Sequence, residues 1–358
     1  MMIADKKIYK LRLALTTKCL LDCRYCFVSK KDKVIKFAVA SRAIEFLINS
    51  RGKEKLLMIY GGEPLIYFDL LKRITIFAQS LAKEKKKNLI ISVGTNGLLL
   101  DEKRLNFFRK TKTKLAISMD GKKRFHDRAR IFPGGDPSFL RVAEKLPIVM
   151  EMIAKEDLSV LFGVLPVHAR HMFENMEFLI EQGFDNINIE PIQGKDFLWT
   201  KNRKKIFVEN LAKVGSRVYK SILSEKYIFI NSINRKLFYK KMAAENRCPF
   251  FENTEVYPDG EVAFSPFLMN LPGKERYLVG SFKTENFSER YANCKNNSES
   301  CDTCWSGYLA GGEGVFDNEI VSIRNRWSNF LAEKIIERSE TDKRFKEYIL
   351  QAKKRIFE

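Results

Sequence analysis

The chain has 358 residues, with 64 Lys and Arg against 44 Asp and Glu, a formal charge of +20. Hydrophobic residues make up 45% and charged residues 30%, which excludes global disorder and supports either two domains or one large α/β domain with a smaller attachment. No stretch reaches the roughly 18 consecutive apolar residues of a membrane span, and the N-terminus lacks a secretion signal, so an unprocessed cytoplasmic protein with no membrane partner is expected.

In chain order, short apolar runs at 8–15, 56–60, 89–93, 114–119, 160–164 and 187–189 read as strands. Amphipathic helical patterns separate them at 38–48, 70–82, 103–110, 140–153 and 172–182. Strands alternating with helices imply βαβ units and a parallel sheet. Six strands are too few for a closed eight-stranded barrel and suit a partial one, so the fold class is α/β, a partial (β/α)6 TIM-like barrel. Residues 1–200 make that barrel, and 201–243 read as a helical, basic connector. From 247 the character changes to short strand patterns around the turn Pro258-Asp259-Gly260, which places a small α+β domain at 244–316. A charged helical segment, 317–358, ends the chain. The positive charge favours acidic partners, or is a solvated lysine-rich surface, since only short runs such as 85–87 cluster.

Seven cysteines cannot pair completely as disulfides, and cytosolic thiols stay reduced, so metal binding is the better reading. Cys19, Cys23 and Cys26 form a C-x3-C-x2-C directly after the first strand, on a βα loop of the kind that builds the catalytic face of barrels. Three thiolates on one loop can hold three irons of a [4Fe–4S] cube and leave the fourth open. A zinc ion completed by a distant ligand is the alternative. Cys248, Cys294, Cys301 and Cys304 form a second set, suited to a closed all-cysteine site for zinc or an iron–sulfur cluster.

The early loop, with Tyr25 before its last cysteine, resembles the cluster loop of the radical S-adenosylmethionine enzymes. The later motifs agree in order. Tyr60-Gly61-Gly62-Glu63-Pro64 resembles the family's GGEP, Thr95-Asn96-Gly97 its T-N-G, and Ser118-Met119-Asp120-Gly121 its S-x-D-G. His126-Asp127-Arg128-Ala129-Arg130 resembles the H-D-x-x-R run of peptide- and protein-modifying members. The resemblance implies that Gly61, Gly62 and Glu63 shape the wall receiving the methionine amine. It also implies that Ser118 bonds the ribose and Arg130 the methionine carboxylate. Tyr25, Thr95, Asn96 and Glu190, which ends the sixth strand, are further cofactor contacts on this reading. His126 is expected to orient rather than carry a proton, and no catalytic acid or base is assigned.

The late cysteines resemble the SPASM or shorter twitch extension, which carries auxiliary clusters. Ser265 stands where that pattern has a further cysteine, and Ala310 and Glu313 or Gly314 stand at two more. The count then implies two [4Fe–4S] clusters, one catalytic with an open iron and one auxiliary, alongside S-adenosylmethionine. The implied activity is reductive cleavage of S-adenosylmethionine to a 5′-deoxyadenosyl radical. That radical takes a hydrogen atom from a ribosomally made precursor peptide, leaving a crosslink, thioether or other modification. An acidic leader would suit the basic chain. With no extension ahead of the first strand, a separate recognition protein or the enzyme itself would hold the peptide. An electron donor such as flavodoxin or ferredoxin is implied. A sulfatase-maturing oxidase is the alternative, though Pro266 stands where those enzymes have an aspartate. Cofactor-biosynthesis enzymes are another alternative. The non-enzymatic alternative is a zinc protein that binds nucleic acid, and the ordered motifs argue against it.

Overall fold

The computed structural model describes residues 8–28, 32–238, 254–263, 269, 275, 278–284 and 318–357. Six parallel strands run in the expected order: β1 Lys10–Thr16, β2 Glu54–Gly61, β3 Asn88–Thr95, β4 Lys114–Ser118, β5 Leu158–Val164 and β6 Asn186–Pro191. They alternate with α1 Phe37–Asn49, α2 Phe68–Glu84, α3 Glu102–Thr111, the one-turn α4 Lys123–His126, α5 Phe139–Ala143, α6 Leu146–Met152 and α7 Met172–Glu181. The strands sort their side chains with period two. Leu11, Leu13, Leu57, Ile59, Ile91, Val93, Leu115 and Ile117 are buried in one continuous core with the helices. The alternate positions, such as Lys10, Met58, Ser92, Ala116, Ser159 and Asn188, line the lumen. The helix expected over 140–153 divides into α5 and α6. Pro147 stands in the first turn of α6, where its missing N–H is not needed, and could not continue α5.

The sheet does not stop at six strands. The stretch expected as a helical connector forms α8 Lys201–Leu223, the two-residue strand β7 Phe229–Ile230 and α9 Asn231–Leu237. β7 pairs in parallel with β6, and the apolar stripe of α8 (Phe207, Leu211, Val214, Val218, Ile222) is buried in the same core. The C-terminal segment forms α10 Asn318–Ser339 and α11 Lys343–Phe357. Tyr348 of α11 stacks on Phe229 with ring centroids 5.0 Å apart, and Arg355 bonds Asp185 at 2.7 Å. These helices therefore close the β7 side of the barrel.

On the other side, β8 Thr254–Val256 pairs in parallel with β1, and β9 Glu261–Ala263 and β10 Gly280–Ser281 continue antiparallel. The turn Pro258-Asp259-Gly260 sits between β8 and β9, as its residues predict. The described part of the expected small domain is thus an extension of the barrel's own sheet, in the order β10-β9-β8-β1-β2-β3-β4-β5-β6-β7. The attachment is electrostatic as well as backbone. Glu255 of β8 lies beside Arg12 of β1 in register. Its carboxylate meets the Arg12 guanidinium at 3.2 Å and accepts from the Tyr60 hydroxyl on β2. Glu255 has no solvent exposure, and burial, opposed by Arg12, pushes its carboxyl up to about 7.

Removing one partner of such a buried pair is costly because the other charge is left desolvated. Glu255→Ala is expected to lower the unfolding free energy in urea by about 3–5 kcal/mol, and Tyr60→Phe by about 1.5–3 kcal/mol. Equal small losses in both variants would show that the three-strand tie carries no stability.

Candidate functional site

The cysteine loop leaves the C-terminal end of β1, and its neck is closed by hydrogen bonds between the two ends. Thr17 N–H and Thr16 Oγ1 both donate to the Lys33 carbonyl, at 2.9 and 2.8 Å, and Lys33 N–H donates to Thr17 Oγ1 at 2.9 Å. Within the loop, Cys26 N–H donates to the Cys23 carbonyl at 3.0 Å, a tight turn that brings Cys26 back toward Cys23. All three cysteines are part-exposed and none is in a disulfide. Cys19 Sγ accepts from Leu21 N–H at 3.4 Å and from Asn96 Nδ2 at 3.7 Å. Burial pushes the Cys23 thiol up to about 11, against the pull of Arg130. A thiol in that state becomes a thiolate when a metal displaces its proton. Among the described residues no three His, Cys, Asp or Glu side chains converge on a single-ion position. A cube needs no such convergence, since it takes one thiolate on each iron. As a donor set, three thiols on one loop suit a cluster that takes one thiolate per iron.

The Gly61-Gly62-Glu63-Pro64 segment is pressed against this loop. Gly62 N–H donates to the Thr16 carbonyl at 2.7 Å and Glu63 N–H to the Lys18 carbonyl at 2.8 Å. A Cβ on Gly61 would stand 2.2 Å from the Thr16 oxygen and one on Gly62 2.1 Å from the Lys18 oxygen, and Gly61 has φ +139°. Only glycine permits this approach. The Glu63 side chain is wholly buried and engaged by the protein: Oε1 accepts from Leu65 N–H at 3.0 Å and Thr95 Oγ1 at 2.8 Å, and Oε2 from Asn96 N–H at 2.7 Å. Burial raises its carboxyl to about 7, and the three donors oppose that shift. Glu63 is thus a positioning residue that joins the glycine turn to the end of β3. Thr95 and Asn96 are held by the same contacts, and Asn96 Oδ1 also accepts from Leu98 N–H at 3.0 Å.

The third wall centres on Asp120, a residue that sequence reasoning missed. Asp120 Oδ2 accepts from Tyr25 Oη at 2.6 Å and from Arg130 Nε at 3.0 Å, and Oδ1 accepts from Gly163 N–H at 3.0 Å. Burial keeps the Tyr25 phenol protonated, so it is the donor. Arg130, 9% exposed, lies over the Tyr25 ring at 5.3 Å. Its Nε edge is used, while its two terminal nitrogens have no hydrogen-bond partner among the described residues. The backbone on either side of Arg130 is tied to the cysteine loop. Asp22 N–H donates to the Ile131 carbonyl at 2.7 Å and Arg24 N–H to the Ala129 carbonyl at 2.9 Å.

Behind Arg130 is a relay. His126 Nδ1 faces Asp120 N–H at 3.4 Å, and Nε2 faces Ser138 Oγ at 3.0 Å, which donates to the Arg130 carbonyl at 2.6 Å. These roles require a neutral ring protonated at Nε2. Burial lowers the His126 pKa to about 4. Ser118 stands half-buried at the end of β4. Glu190, expected at the same mouth, is instead hydrogen-bonded by Arg324 of α10 and lines the lumen. Cys248, Cys294, Cys301, Cys304, Ser265, Pro266, Ala310, Glu313 and Gly314 lie outside the described residues.

The three walls make one mouth at the C-terminal end of the sheet: thiols from β1's loop, a glycine backbone from β2's, and an arginine fork from the loop after β4. Residues 13–146, which hold all three, match the family model of the Radical SAM superfamily. The chain is 26% identical over 239 residues to an uncharacterized protein of Methanocaldococcus jannaschii, covering 61% of this chain and 80% of that one. It is 24% identical over 185 residues to the cysteine-type anaerobic sulfatase-maturating enzyme of Clostridium novyi, covering 49% of each. The chain therefore spans about half the length of that enzyme. Its fold matches the solved structure of native anSMEcpe with bound AdoMet and Cp18Cys peptide with a TM-score of 0.66 at 20% identity, over 81% of each chain.

A neutral His126 makes folding pH-dependent in a stated direction. Its folded pKa of about 4 lies below the ordinary 6.5, so the unfolded chain binds the extra proton first as pH falls. Stability is therefore present above about 6.5 and is lost between there and about 4, by at most about 3 kcal/mol. Urea unfolding at stepped pH should show this decline, and His126→Gln should flatten it. An unchanged slope in the variant would mean that other groups carry it.

Proposed function

Because the chain carries a radical SAM domain, we propose that it is a peptide-modifying radical S-adenosylmethionine enzyme. Cys19, Cys23 and Cys26 would hold the catalytic [4Fe–4S] cluster. When bound, the cluster and S-adenosylmethionine together supply the electron and the 5′-deoxyadenosyl radical that abstracts a hydrogen atom from substrate. The observation that carries the reading is the Arg130 fork beside the three-cysteine loop. Asp120 takes the Nε edge, and the terminal nitrogens are left for a carboxylate. Asp120 holds Tyr25 by the same oxygen, so the fork and the loop are set by one group. Asn96 donates toward the Cys19 sulfur and would lower the charge density of a thiolate there. The glycine turn brings backbone, not side chain, to the mouth. Ser118 at the end of β4 is the ribose contact on this reading.

Cys248, Cys294, Cys301 and Cys304 would hold a second, auxiliary cluster, which uses all seven cysteines. The peptide substrate is supported by the +20 charge, which suits an acidic leader, and by the peptide carried by the structural neighbour. Maturation of a sulfatase residue is the second reading, favoured by the Clostridium novyi relative. Both act on a polypeptide. A precursor peptide with an acidic leader and a sulfatase-derived peptide, each added to the anaerobic enzyme, separate them by which one accumulates product with 5′-deoxyadenosine. Stimulation by neither peptide, with stimulation by RNA or DNA, would overturn the peptide reading.

The reconstituted protein is expected to hold about eight irons, and Cys19, Cys23 and Cys26 changed together to Ala should remove one cluster and all 5′-deoxyadenosine formation. Iron near four per chain with bound zinc would remove the second cluster from the proposal. Arg130→Ala should weaken S-adenosylmethionine binding about 10- to 150-fold while both clusters still assemble. Calorimetry on the iron-loaded protein checks this, and an unchanged Kd would move the carboxylate contact elsewhere.

A further inference from the structure

The cysteine loop, the glycine turn and the Arg130 fork build the mouth from β1, β2 and β4, but the loop that leaves β6 has no role in the site so far. It runs over residues 192–199, between Pro191, which ends β6, and Thr200, which caps α8. Its base is fixed. Ile192 N–H donates to the Val164 carbonyl at the end of β5 at 2.9 Å, and the Ile192 carbonyl accepts from Trp199 Nε1 at 2.8 Å. Trp199 is buried and packs edge-on against Phe207 of α8. Above the base, Phe197 N–H donates to the Gly194 carbonyl at 3.0 Å. Gly194 has φ +149°, and a Cβ there would stand 3.3 Å from Phe197 Cδ2, so glycine permits the turn that brings Phe197 back over the mouth.

Phe197 reaches the cysteine loop. Its ring meets that of Tyr25 with centroids 6.4 Å apart and planes at 78°. β1 and β6 are the outer strands of the six-strand arc and do not pair, so this contact spans the mouth from one end of the arc to the other. Tyr25 is then held by three groups: Asp120 on its hydroxyl, Arg130 over its ring and Phe197 against it. Ile192 meets the same point, since a Cβ on Gly163 would stand 3.1 Å from Ile192 Cδ1, Tyr25 Oη and Asp120 Oδ1 alike. The outer side of the loop differs. Lys195 and Asp196 are exposed and opposite in sign, so the loop carries no net charge. Leu198 is 62% exposed, the highest value among the exposed large hydrophobic side chains of the described residues. Its carbonyl accepts from Arg203 Nη1 at 2.9 Å, and its neighbours Phe197 and Trp199 are both engaged by the protein. Single exposed leucines are common on surfaces, but this one is pinned outward on the rim of the mouth.

We propose that this loop is the substrate-side rim of the mouth: Leu198 takes an apolar side chain of the polypeptide substrate, and Phe197 is a positioning residue that steadies Tyr25 and the cysteine loop. A loop on a rigid base holds recognition groups in place. Recognition at this point is apolar, because the neutral loop gives the charge of the chain no part in it. It therefore selects residues near the one that is modified rather than an acidic leader. The inference rests on the peptide reading above.

The test uses the iron-loaded enzyme under anaerobic conditions with the precursor peptide that has an acidic leader and with the sulfatase-derived peptide. For the peptide that is modified, Leu198→Asp should raise KM about 10- to 100-fold, and Leu198→Met should keep it low. The Kd of S-adenosylmethionine should be the same in both, which also shows that the variants fold. Phe197→Ala should raise the ratio of 5′-deoxyadenosine released to peptide modified about 2- to 10-fold, and Phe197→Tyr, which keeps the ring, should restore it. That ratio reads the mouth rather than the fold, because a loss of folded enzyme lowers both products together. An unchanged KM in Leu198→Asp would overturn the substrate contact, and an unmoved ratio in Phe197→Ala would overturn the positioning role. Modification of neither peptide by the unaltered enzyme would overturn the peptide reading and this inference with it, whereas modification that all the variants leave unchanged would overturn this inference alone.

Discussion

The mouth of this barrel depends on one carboxylate. Asp120 accepts three hydrogen bonds, from the Tyr25 phenol, the Arg130 guanidinium and the Gly163 backbone. Those donors come from the cysteine loop, the loop after β4 and the end of β5. A buried carboxylate without donors would be costly, and a buried guanidinium without a carboxylate equally so, so each enforces the other's place. The result is an arginine whose inner edge is committed and whose outer edge has no hydrogen-bond partner among the described residues. His126 and Ser138 extend this order to the Arg130 carbonyl, and the pairing of Asp22 and Arg24 with residues 131 and 129 carries it back to the cysteine loop.

Glu63 solves a similar problem by different means. It makes no ion pair among the described residues and relies first on three neutral donors in a fully enclosed position, with the Arg104 charge a smaller contribution. That arrangement locks the glycine turn to β3 while the glycines touch the cysteine loop. Backbone contacts of this kind tolerate little movement, because a carbonyl cannot rotate away as a side chain can. The cysteine loop is thereby held on two sides, by main chain at the β2 end and by the Asp120 network at the β4 end.

The two faces of the sheet divide the labour. The helix-facing positions of β1 to β4 are mainly aliphatic and close the core, with the buried Lys55 and Thr95 as hydrogen-bonded polar exceptions. The lumen-facing positions mix lysine, serine, asparagine and glutamate with apolar residues such as Leu56, Met58 and Leu161, so charged and polar groups reach the lumen below the mouth. At both open margins the sheet is closed by C-terminal parts of the chain: β8 through the Arg12–Glu255–Tyr60 tie, and β7 through Tyr348 and Arg355.

The sequence by itself determined the repeating unit and the chemistry of the mouth. Period-two strands between amphipathic helices placed all six core strands, and the cysteines and glycines announced themselves because metal ligation and close backbone approach accept few other residues. Asp120 was visible within Ser118-Met119-Asp120-Gly121, but nothing local marked it as the group that Tyr25 and Arg130 would share across 95 and 10 positions. Glu255 and Arg12 were equally silent, since a charged residue in sequence reads as surface. β7 and β8 were too short, two and three residues, to carry a period. What only the tertiary structure decided was which charges leave water together. Burial is set by partners distant in the chain, and the electrostatic cost of burying one charge is met only by the particular opposite charge that the fold brings beside it.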